Sequence, residues 1–476
     1  MVGSVSSYGK DIVRRVREDS LLWLAFAALL AWMFGLYWSD TLLGLLSLGQ
    51  LDLLEMRASW LGAEAVALLA ALLVAARLLK RRTIVVLVAG TSVFAGTVAV
   101  LFGPSIAPSD AIRSVGVALT GVGSAGLLLM LGVALARKGA KALLIDVALA
   151  LLVASLLDSA MLLTSSAARQ LVVALLPALS SALFVLALRK DEAKPLPAEG
   201  KGAPARINTV RIVALPAIVG LAYGLMQRLA EGSFAMGDGS GNVATIVSFV
   251  LSALVIALAA LFLDSRKLIK VVCFAAIPVI GIAFVMLPLF AGSREAIQGV
   301  CIVGFNSFYF MVWALWSDGR EGAELPKRFT LGLFVLVAAE CLGSLAGAFV
   351  VEAIEGSGAT LAVVSLVVVY LLLMAGIFSF DRSTRAVPLP DASPVERILD
   401  DADSWAARFG LSAREQEVFE MLARGRNRAY ISKTLVVSDN TTRTHMKNVY
   451  RKLGVHSQQE LIDLVENRQA GKGKPW

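Results

Sequence analysis

Long apolar segments, repeated along nearly the whole chain, constrain its fold more than any other feature. A helix needs roughly 20 apolar residues to cross the hydrocarbon core of a bilayer. Hydrophobic residues make up 57% of the 476 residues, and the mean hydropathy is +0.75, which excludes an ordinary globular protein of this length. We therefore expect an all-α, polytopic bundle. Twelve spans are predicted near 20–38, 60–79, 83–102, 114–136, 142–164, 168–188, 210–230, 243–264, 269–290, 296–316, 329–351 and 357–379.

The twelve predicted spans fall into two sets of six. Residues 189–209 separate the sets and contain D-E-A-K-P-L-P-A-E-G-K-G-A-P-A-R, whose Pro, Gly and Lys content is typical of a linker. The membrane domain is therefore predicted over residues 1–380, with halves at 20–188 and 210–379. No small-residue cleavage site follows Trp38, which favours an anchored first span over a signal peptide.

Basic residues orient this predicted array. Lys and Arg cluster at the N-terminus and in every second connection, whereas the alternate connections carry isolated arginines: Arg57, Arg113, Arg169 and Arg294. Because cytoplasmic loops are enriched in Lys and Arg, both termini are predicted to lie in the cytoplasm. We expect a multi-pass protein of the cell (inner) membrane, with the lipid bilayer as one partner.

Two sets of six spans joined by a basic linker resemble the major facilitator superfamily in architecture, over about 380 residues. The loop motif of that family, G-x-x-x-D-R-x-G-R-R, has no match in L-L-K-R-R-T after the second span. D-S-R-K from Asp264, after the eighth span, matches it poorly. The resemblance implies a fold, and a fold alone does not imply transport.

The same resemblance implies that the first, fourth, seventh and tenth spans line a central cavity. On the tenth span, Asn306, Tyr309 and Trp313 recur at helical spacing and share one face. A small, partly aromatic ligand is expected there, and aromatic packing between helices is the alternative interpretation. The candidate cavity residues are Trp32, Tyr223, Gln227, Asn306, Tyr309, Trp313 and Glu340.

Glu340 is included because ionisable side chains within a span are costly and often functional. It lies in the middle of the eleventh predicted span, whereas Glu64 lies nearer the end of the second. An interhelical hydrogen bond is the alternative role for Glu340. In the same span, Gly343-x-x-x-Gly347 permits close approach of another helix.

Chemically reactive side chains do not form a catalytic set. Cys273, Cys301 and Cys341 all lie in predicted spans without the spacing of a metal site, and the only histidines are His445 and His456. No phosphate loop, nucleophile elbow or zinc spacing is present. We therefore expect no enzymatic activity, no cofactor and no metal.

The C-terminal residues have a different character. A linker containing several prolines is predicted at 381–403, and a compact domain at 404–470. Within that domain Ser438–Leu453 predicts a helix, because Ser438 suits the N-cap and one face carries an apolar stripe. Shorter helical patterns before and after it give four helices, with a tight turn before the third. This arrangement predicts a helix-turn-helix unit.

Four ordered motifs resemble the DNA-binding domain of LuxR-type transcription regulators over about 60 residues. They are L-S-A-R-E-Q-E-V-F-E-M-L-A-R-G from Leu411, I-S-K-T-L-V-V-S from Ile431, T-T-R-T-H-M-K-N from Thr441 and K-L-G-V from Lys452. The chain departs from the usual residues of that family at positions outside the basic, polar face of the predicted helix, which carries Asn440, Arg443, Thr444, Lys447 and Arg451. The departures are Tyr430 for Glu, Ser432 for Ala, Thr442 for Val, and Gln458–Gln459 at a usual Arg position.

The resemblance implies base contacts from Arg443, Thr444 and Lys447, which are also the exposed positions of the first two turns of the predicted helix. Arg reads guanine bidentately, and a Thr methyl meets a thymine methyl. From Ser404 to Trp476 there are 13 Lys and Arg against 7 Asp and Glu, a balance of +6 that favours a polyanion. Phosphate contacts are expected from Lys433, Thr441, Arg451 and Lys452.

These features together predict a membrane-bound, one-component transcription regulator. Its membrane domain would sense a small ligand, and its C-terminal domain would bind double-stranded promoter DNA as a homodimer, since one domain reads a half-site. A major-facilitator-like transporter with a regulatory DNA-binding tail is the alternative. A membrane domain that only tethers the DNA-binding domain is a third possibility.

Overall fold

The computed structural model describes residues 20–38, 50–106, 110–192, 210–231, 240–262, 268, 271–290, 293–317, 324–354, 358–386, 409–423, 425–435 and 437–467. Within these ranges every regular element is helical and no strand occurs, which confirms the all-α prediction. The chain divides into two compact units, Met1–Ser383 and Thr384–Trp476.

The first unit contains twelve α-helices in its described residues, three of them adjoined by short π-helical segments at Phe34–Trp38, Val210–Ala214 and Val272–Ala276. The first half comprises α1 (Ser20–Met33), α2 (Gln50–Lys80), α3 (Arg82–Ile106), α4 (Asp110–Ala136), α5 (Ala140–Leu162) and α6 (Ser166–Glu192). The second half comprises α7 (Leu215–Glu231), α8 (Ser240–Phe262), α9 (Ile277–Leu289), α10 (Arg294–Ser317), α11 (Glu324–Ile354) and α12 (Gly358–Ala386).

Eleven of the predicted spans are confirmed, within the described residues, as helices long and apolar enough to cross a membrane. The ninth differs, because its apolar helix covers only Phe274–Leu289. The difference lies at its start, because a π-helical segment at Val272–Ala276 precedes the α-helix, whereas its end at Leu289 is one residue from the predicted end. Residues 269–270, with which the predicted ninth span begins, lie outside the described residues.

Two helices extend farthest beyond their predicted ends. The second span was expected to start near residue 60, but α2 begins at Gln50, so its polar residues shift toward the helix middle. At the other end of the unit, α12 continues to Ala386, into the predicted 381–403 linker. The rest of that linker and residues 193–209 of the central linker lie outside the described residues.

Close backbone contact joins α7 to α11. Gly224 lies against the carbonyl of Glu340, and Gly343 lies against the carbonyl of Leu221, with no room for a Cβ at either glycine. A Cβ on Gly347 would lie 2.6 Å from the Cβ of Arg228. The close approach predicted from the Gly343-x-x-x-Gly347 pattern is therefore confirmed, and it fixes the position of Glu340 beside α7.

The second unit is the predicted four-helix domain. Its helices are α13 (Ala413–Ala423), α14 (Arg428–Leu435), α15 (Asp439–Leu453) and α16 (Gln458–Asn467). Each helix contributes apolar side chains to one core, which removes them from water and orients α15 on the other three helices. The buried hydrophobic residues are Val418, Phe419, Leu422, Ala423, Ile431, Val449, Leu453, Val455 and Leu461.

A capping box begins α13 and connects it to the end of α15. The amide of Ser412 donates to Glu415 Oε2 at 2.9 Å, and the amide of Glu415 donates to Ser412 Oγ at 3.4 Å. The ammonium of Lys452, at the end of α15, lies 2.6 Å from the same Oε2 and donates to the Gly410 carbonyl at 2.7 Å. These interactions, foremost the one with Lys452, lower the pKa of Glu415 to about 2.

The contact between α7 and α11 predicts a steric cost for Gly343→Ala. The added methyl meets a backbone carbonyl that cannot rotate away, and overpacking of this kind costs about 1–3 kcal/mol. Thermal unfolding of the full chain in detergent should show a lower midpoint. The control is Gly62→Ala, where a Cβ would meet only Cys341 Sγ at 3.9 Å. Equal midpoints for both variants would contradict the packing described.

The capping box predicts that Glu415→Gln destabilises a fragment of residues 404–476 by about 1–2 kcal/mol at neutral pH. The pKa of Glu415 in the folded state is below its ordinary value of 4.5. Its contribution to the free energy of unfolding is therefore complete above pH 4.5 and disappears as the pH falls toward 2. Urea titrations from neutral to acidic pH would measure it. Glu417→Gln, which removes an exposed ion pair with Arg414, should cost less than about 1 kcal/mol.

Candidate functional site

The recognition helix α15 is defined by caps at both ends. Ser438 has extended backbone angles, and its hydroxyl accepts a hydrogen bond from the Thr441 amide at 3.1 Å. At the other end Gly454 adopts a φ of 70°, in the left-handed region that favours glycine, and its amide donates to the Tyr450 carbonyl. Both ends of the helix are thus fixed by local sequence.

One face of α15 packs on the domain core. Thr442, Val449 and Leu453 are buried, and Met446 is half-buried against the same core. This is the stripe that the sequence predicted to face inward, so the opposite side of the helix must face outward.

Two of the departures from the LuxR-type pattern are hydrogen-bonded to each other. The Ser432 hydroxyl on α14 donates to Thr442 Oγ1 on α15 at 3.0 Å, and the Thr442 hydroxyl donates to the Ser438 carbonyl at 3.2 Å. A buried hydroxyl without a partner would be costly. Ser432 and Thr442 therefore form a polar contact between α14 and α15 that neither position predicts when it is considered separately.

A third departure also has a structural partner. The side-chain amide of Gln458 donates to the carbonyls of Leu422 and Arg426, each at 3.0 Å, and so satisfies backbone acceptors at and after the end of α13. Tyr430 is exposed, with the Arg426 guanidinium 4.9 Å from its ring centroid. Neither residue lies on α15.

The three predicted base-contacting side chains are together on the outward face of α15. Arg443, Thr444 and Lys447 are all exposed. Within the described part of the C-terminal unit, neither Arg443 nor Lys447 has a polar partner, while the Thr444 hydroxyl donates to the Asn440 carbonyl at 3.0 Å. The two cations are therefore available to an external acceptor.

The four predicted phosphate-contacting residues are placed differently from one another. Thr441 and Arg451 are exposed, the latter donating to Asn448 Oδ1 at 3.2 Å. Lys452 is engaged by Glu415 and the Gly410 carbonyl. The side chain of Lys433 lies outside the described residues. Arg451 thus adds an exposed cation to α15 and Thr441 an exposed hydroxyl, while Lys452 has a structural role that the sequence did not indicate.

In the membrane unit, a cavity of about 80 Å³ lies between the two halves. From the first half it is lined mainly by α1, its π-helical segment and α2, and from the second half by α7, α8, α10 and α11. Of the predicted cavity residues, the structure places four in its wall: Tyr223, Asn306, Tyr309 and Glu340.

The other three predicted residues are buried outside this wall. The Trp32 indole donates to Thr97 Oγ1 at 2.8 Å and so faces α3. Trp313 packs against Phe26 and Phe329, with ring centroids 5.8 Å and 4.8 Å away. Gln227 lies one helical turn beyond Tyr223 on α7. For Trp313 the arrangement is the aromatic packing that the sequence left open as an alternative.

The residues of the cavity wall that the sequence analysis missed include Trp38, Trp60 and Glu64. Because α2 starts at Gln50, Glu64 lies in the middle of that helix, and its expected position near a span end was wrong. The Ser124 hydroxyl donates to Glu64 Oε2 at 3.2 Å, and the Trp60 indole donates to Ser124 Oγ at 3.1 Å. An ionisable residue within an apolar span was the signal that could have identified it.

Solved structures share the fold of the membrane unit. The human organic anion transporter MFSD10 (TETRAN) is 14% identical, with a TM-score of 0.55 over 77% of this chain and 99% of that protein. A bacterial homologue of the iron transporter ferroportin, in an outward-facing state, is 12% identical with a TM-score of 0.55 over 78% and 99%. At this identity the likeness concerns the fold alone, which confirms the major-facilitator-like architecture.

The C-terminal domain has relatives detectable by sequence. Residues 410–465 match GerE, the luxR family of bacterial regulatory proteins. The fimbriae Z protein of Salmonella typhimurium is 39% identical over 59 residues, which are 12% of this chain and 28% of that protein. Spore germination protein GerE of Bacillus subtilis is 38% identical over 56 residues, 12% of this chain and 76% of that protein. Through this domain, the chain belongs to the luxR family of bacterial regulatory proteins.

Proposed function

We propose that the chain is a membrane-bound, one-component transcription regulator, in which the membrane unit senses a small ligand and the C-terminal domain binds promoter DNA. One observation carries the proposal. A capped, rigidly packed helix of a luxR-family domain presents free cations outward, and the same chain contains a multi-helix membrane unit. A membrane anchor alone would need a single span.

On DNA, α15 lies in the major groove with Arg443, Thr444 and Lys447 toward the base edges. The Arg443 guanidinium donates to O6 and N7 of a guanine, Lys447 donates to a second base acceptor, and the Thr444 methyl meets a thymine methyl. Thr441 and Arg451 contact phosphates, with Lys433 and Lys452 as further candidates, and these contacts set the position of the helix. A homodimer reads two half-sites.

Both termini lie in the cytoplasm, because basic residues cluster in every second connection of the predicted array. Twelve crossings would also place both termini on the same side of the membrane, since an even number of crossings returns the chain to its starting side. The C-terminal domain can then reach DNA while the protein remains in the cell membrane.

The cavity between the halves supports a sensing role. Its volume of about 80 Å³ is well below the roughly 300–1,000 Å³ of typical ligand pockets. A ligand of ordinary size therefore enters only if the halves move apart. A ligand shifts a conformational equilibrium only by its differential affinity for the two states. The movement of the two halves is therefore the conformational change that ligand binding would control.

Transport with a regulatory DNA-binding tail is the second candidate, favoured by the fold shared with solved transporters. Uptake of a labelled ligand into vesicles containing the chain would support it. A ligand that changes transcription without being accumulated would support the regulator.

The proposed base contacts predict that Arg443→Ala weakens binding to the specific site by about 1–3 kcal/mol and relaxes preference at one base position. Gel-shift titrations on cognate and scrambled DNA measure both effects. Arg451→Ala is the matched comparison, because loss of a phosphate contact weakens binding to both DNAs alike and reduces the salt dependence. Unchanged binding of Arg443→Ala to both DNAs would contradict the assignment of this face.

The proposed orientation predicts the behaviour of reporter fusions. A reporter that fluoresces only in the cytoplasm should be active after Arg206 and after Asp381, and one that requires export should be active at 232–239. An exported reporter that works at Asp381 would place the C-terminal domain away from DNA and overturn the regulator proposal.

A further inference from the structure

Two glutamates line the cavity from opposite halves of the membrane unit. Glu64 on α2 is 1% exposed and Glu340 on α11 is 5% exposed, and both are in the cavity wall. Removing a carboxylate from water is costly unless a cation or several hydrogen bonds compensate. The number of partners that each carboxylate has is therefore informative.

The Glu340 carboxylate accepts no hydrogen bond from the described residues of the membrane unit, although it is almost completely buried. Glu64 accepts one, from Ser124 at 3.2 Å. Arg57, on the same helix as Glu64, is outside the cavity wall; it donates to the Tyr37 carbonyl and lies 5.6 Å from the centroid of the Trp38 ring. The positive charge of Arg57 offsets part of the negative charge near Glu340.

Aromatic side chains form much of the remaining wall. Trp38, Trp60, Tyr223 and Tyr309 all line the cavity, and they belong to both halves. Ring faces attract cations, most strongly in Trp, and the attraction increases when the cation is desolvated. Aromatic rings beside two acidic side chains that have few hydrogen-bond partners favour a positively charged organic group and disfavour an anion.

We infer that the ligand of this cavity is a small organic cation, an amine or quaternary ammonium, held by Glu340 and Glu64 between aromatic walls. The inference rests on the proposed function and names its ligand class. Because each half supplies one carboxylate, a cation between them attracts both halves, and the empty site lacks that attraction. Occupancy therefore favours one packing of the halves.

Benzyltrimethylammonium and neopentylbenzene provide a direct test, because they have the same shape and differ only in the charged nitrogen. Binding of each to the full chain in nanodiscs is followed by tryptophan fluorescence and calorimetry. The cation should bind at least roughly tenfold more tightly than the neutral isostere, as expected for a desolvated cation beside carboxylate and rings. Equal binding of both compounds, or binding of neither at millimolar concentration, would overturn the inference.

Variants of the two glutamates test which carboxylate attracts the cation. Glu340→Gln should reduce cation affinity roughly tenfold or more while neopentylbenzene binding stays unchanged. Glu352→Gln, at an exposed position of α11, should bind as the wild type does. An unchanged preference for the cation in both Glu340→Gln and Glu64→Gln would overturn the site. Binding of promoter DNA, measured on the same preparations, tests the regulator proposal separately from the cation site.

Discussion

The apolar interior of a bilayer is the constraint on which this structure depends. Without water, each backbone polar group must be satisfied within the protein, so that a chain of this composition forms helices wherever it crosses. Helix contacts there cannot rely on the hydrophobic effect and use small residues instead, as Gly224 and Gly343 do between α7 and α11. Polar side chains are confined to places where a partner or a cavity accepts them, and Glu64 and Glu340 both lie at such a place, between the halves.

In water the constraint is different, and the C-terminal domain is organised by its caps and a small core. Ser412, Glu415 and Lys452 connect the start of α13 to the end of α15, and Ser432 with Thr442 connects α14 to α15. These contacts use the polar groups that face the domain interior. Arg443 and Lys447 remain outward and free of partners among the described residues, as a DNA-reading surface requires.

The sequence predicted most accurately those helix bounds that neighbouring residues in the sequence determine. The bounds of α15 follow from the Ser438 and Gly454 caps, which act within one helical turn. The predicted start of the second span was wrong, because residues 50–59 are helical although Asp52, Glu55 and Arg57 interrupt their apolar pattern. Four of the seven predicted cavity residues lie in the wall, while the rings of Trp32 and Trp313 do not, because the direction of a side chain depends on neighbours distant in sequence. The hydroxyl pair of Ser432 and Thr442 likewise requires two helices to be in contact.

The central claim is that the packing of the membrane halves controls DNA binding. Phe34 and Phe249 stack across the halves, with ring centroids 3.6 Å apart. In a chain whose native cysteines are replaced, the double variant Phe34→Cys, Phe249→Cys allows a short thiol cross-linker to join the halves at this contact. The decisive measurement is the affinity of this full-length protein for its promoter DNA in nanodiscs before and after cross-linking. Coupling predicts a change of roughly fivefold or more, the lower end of typical allosteric effects. Identical affinities would show that the membrane unit only anchors the DNA-binding domain.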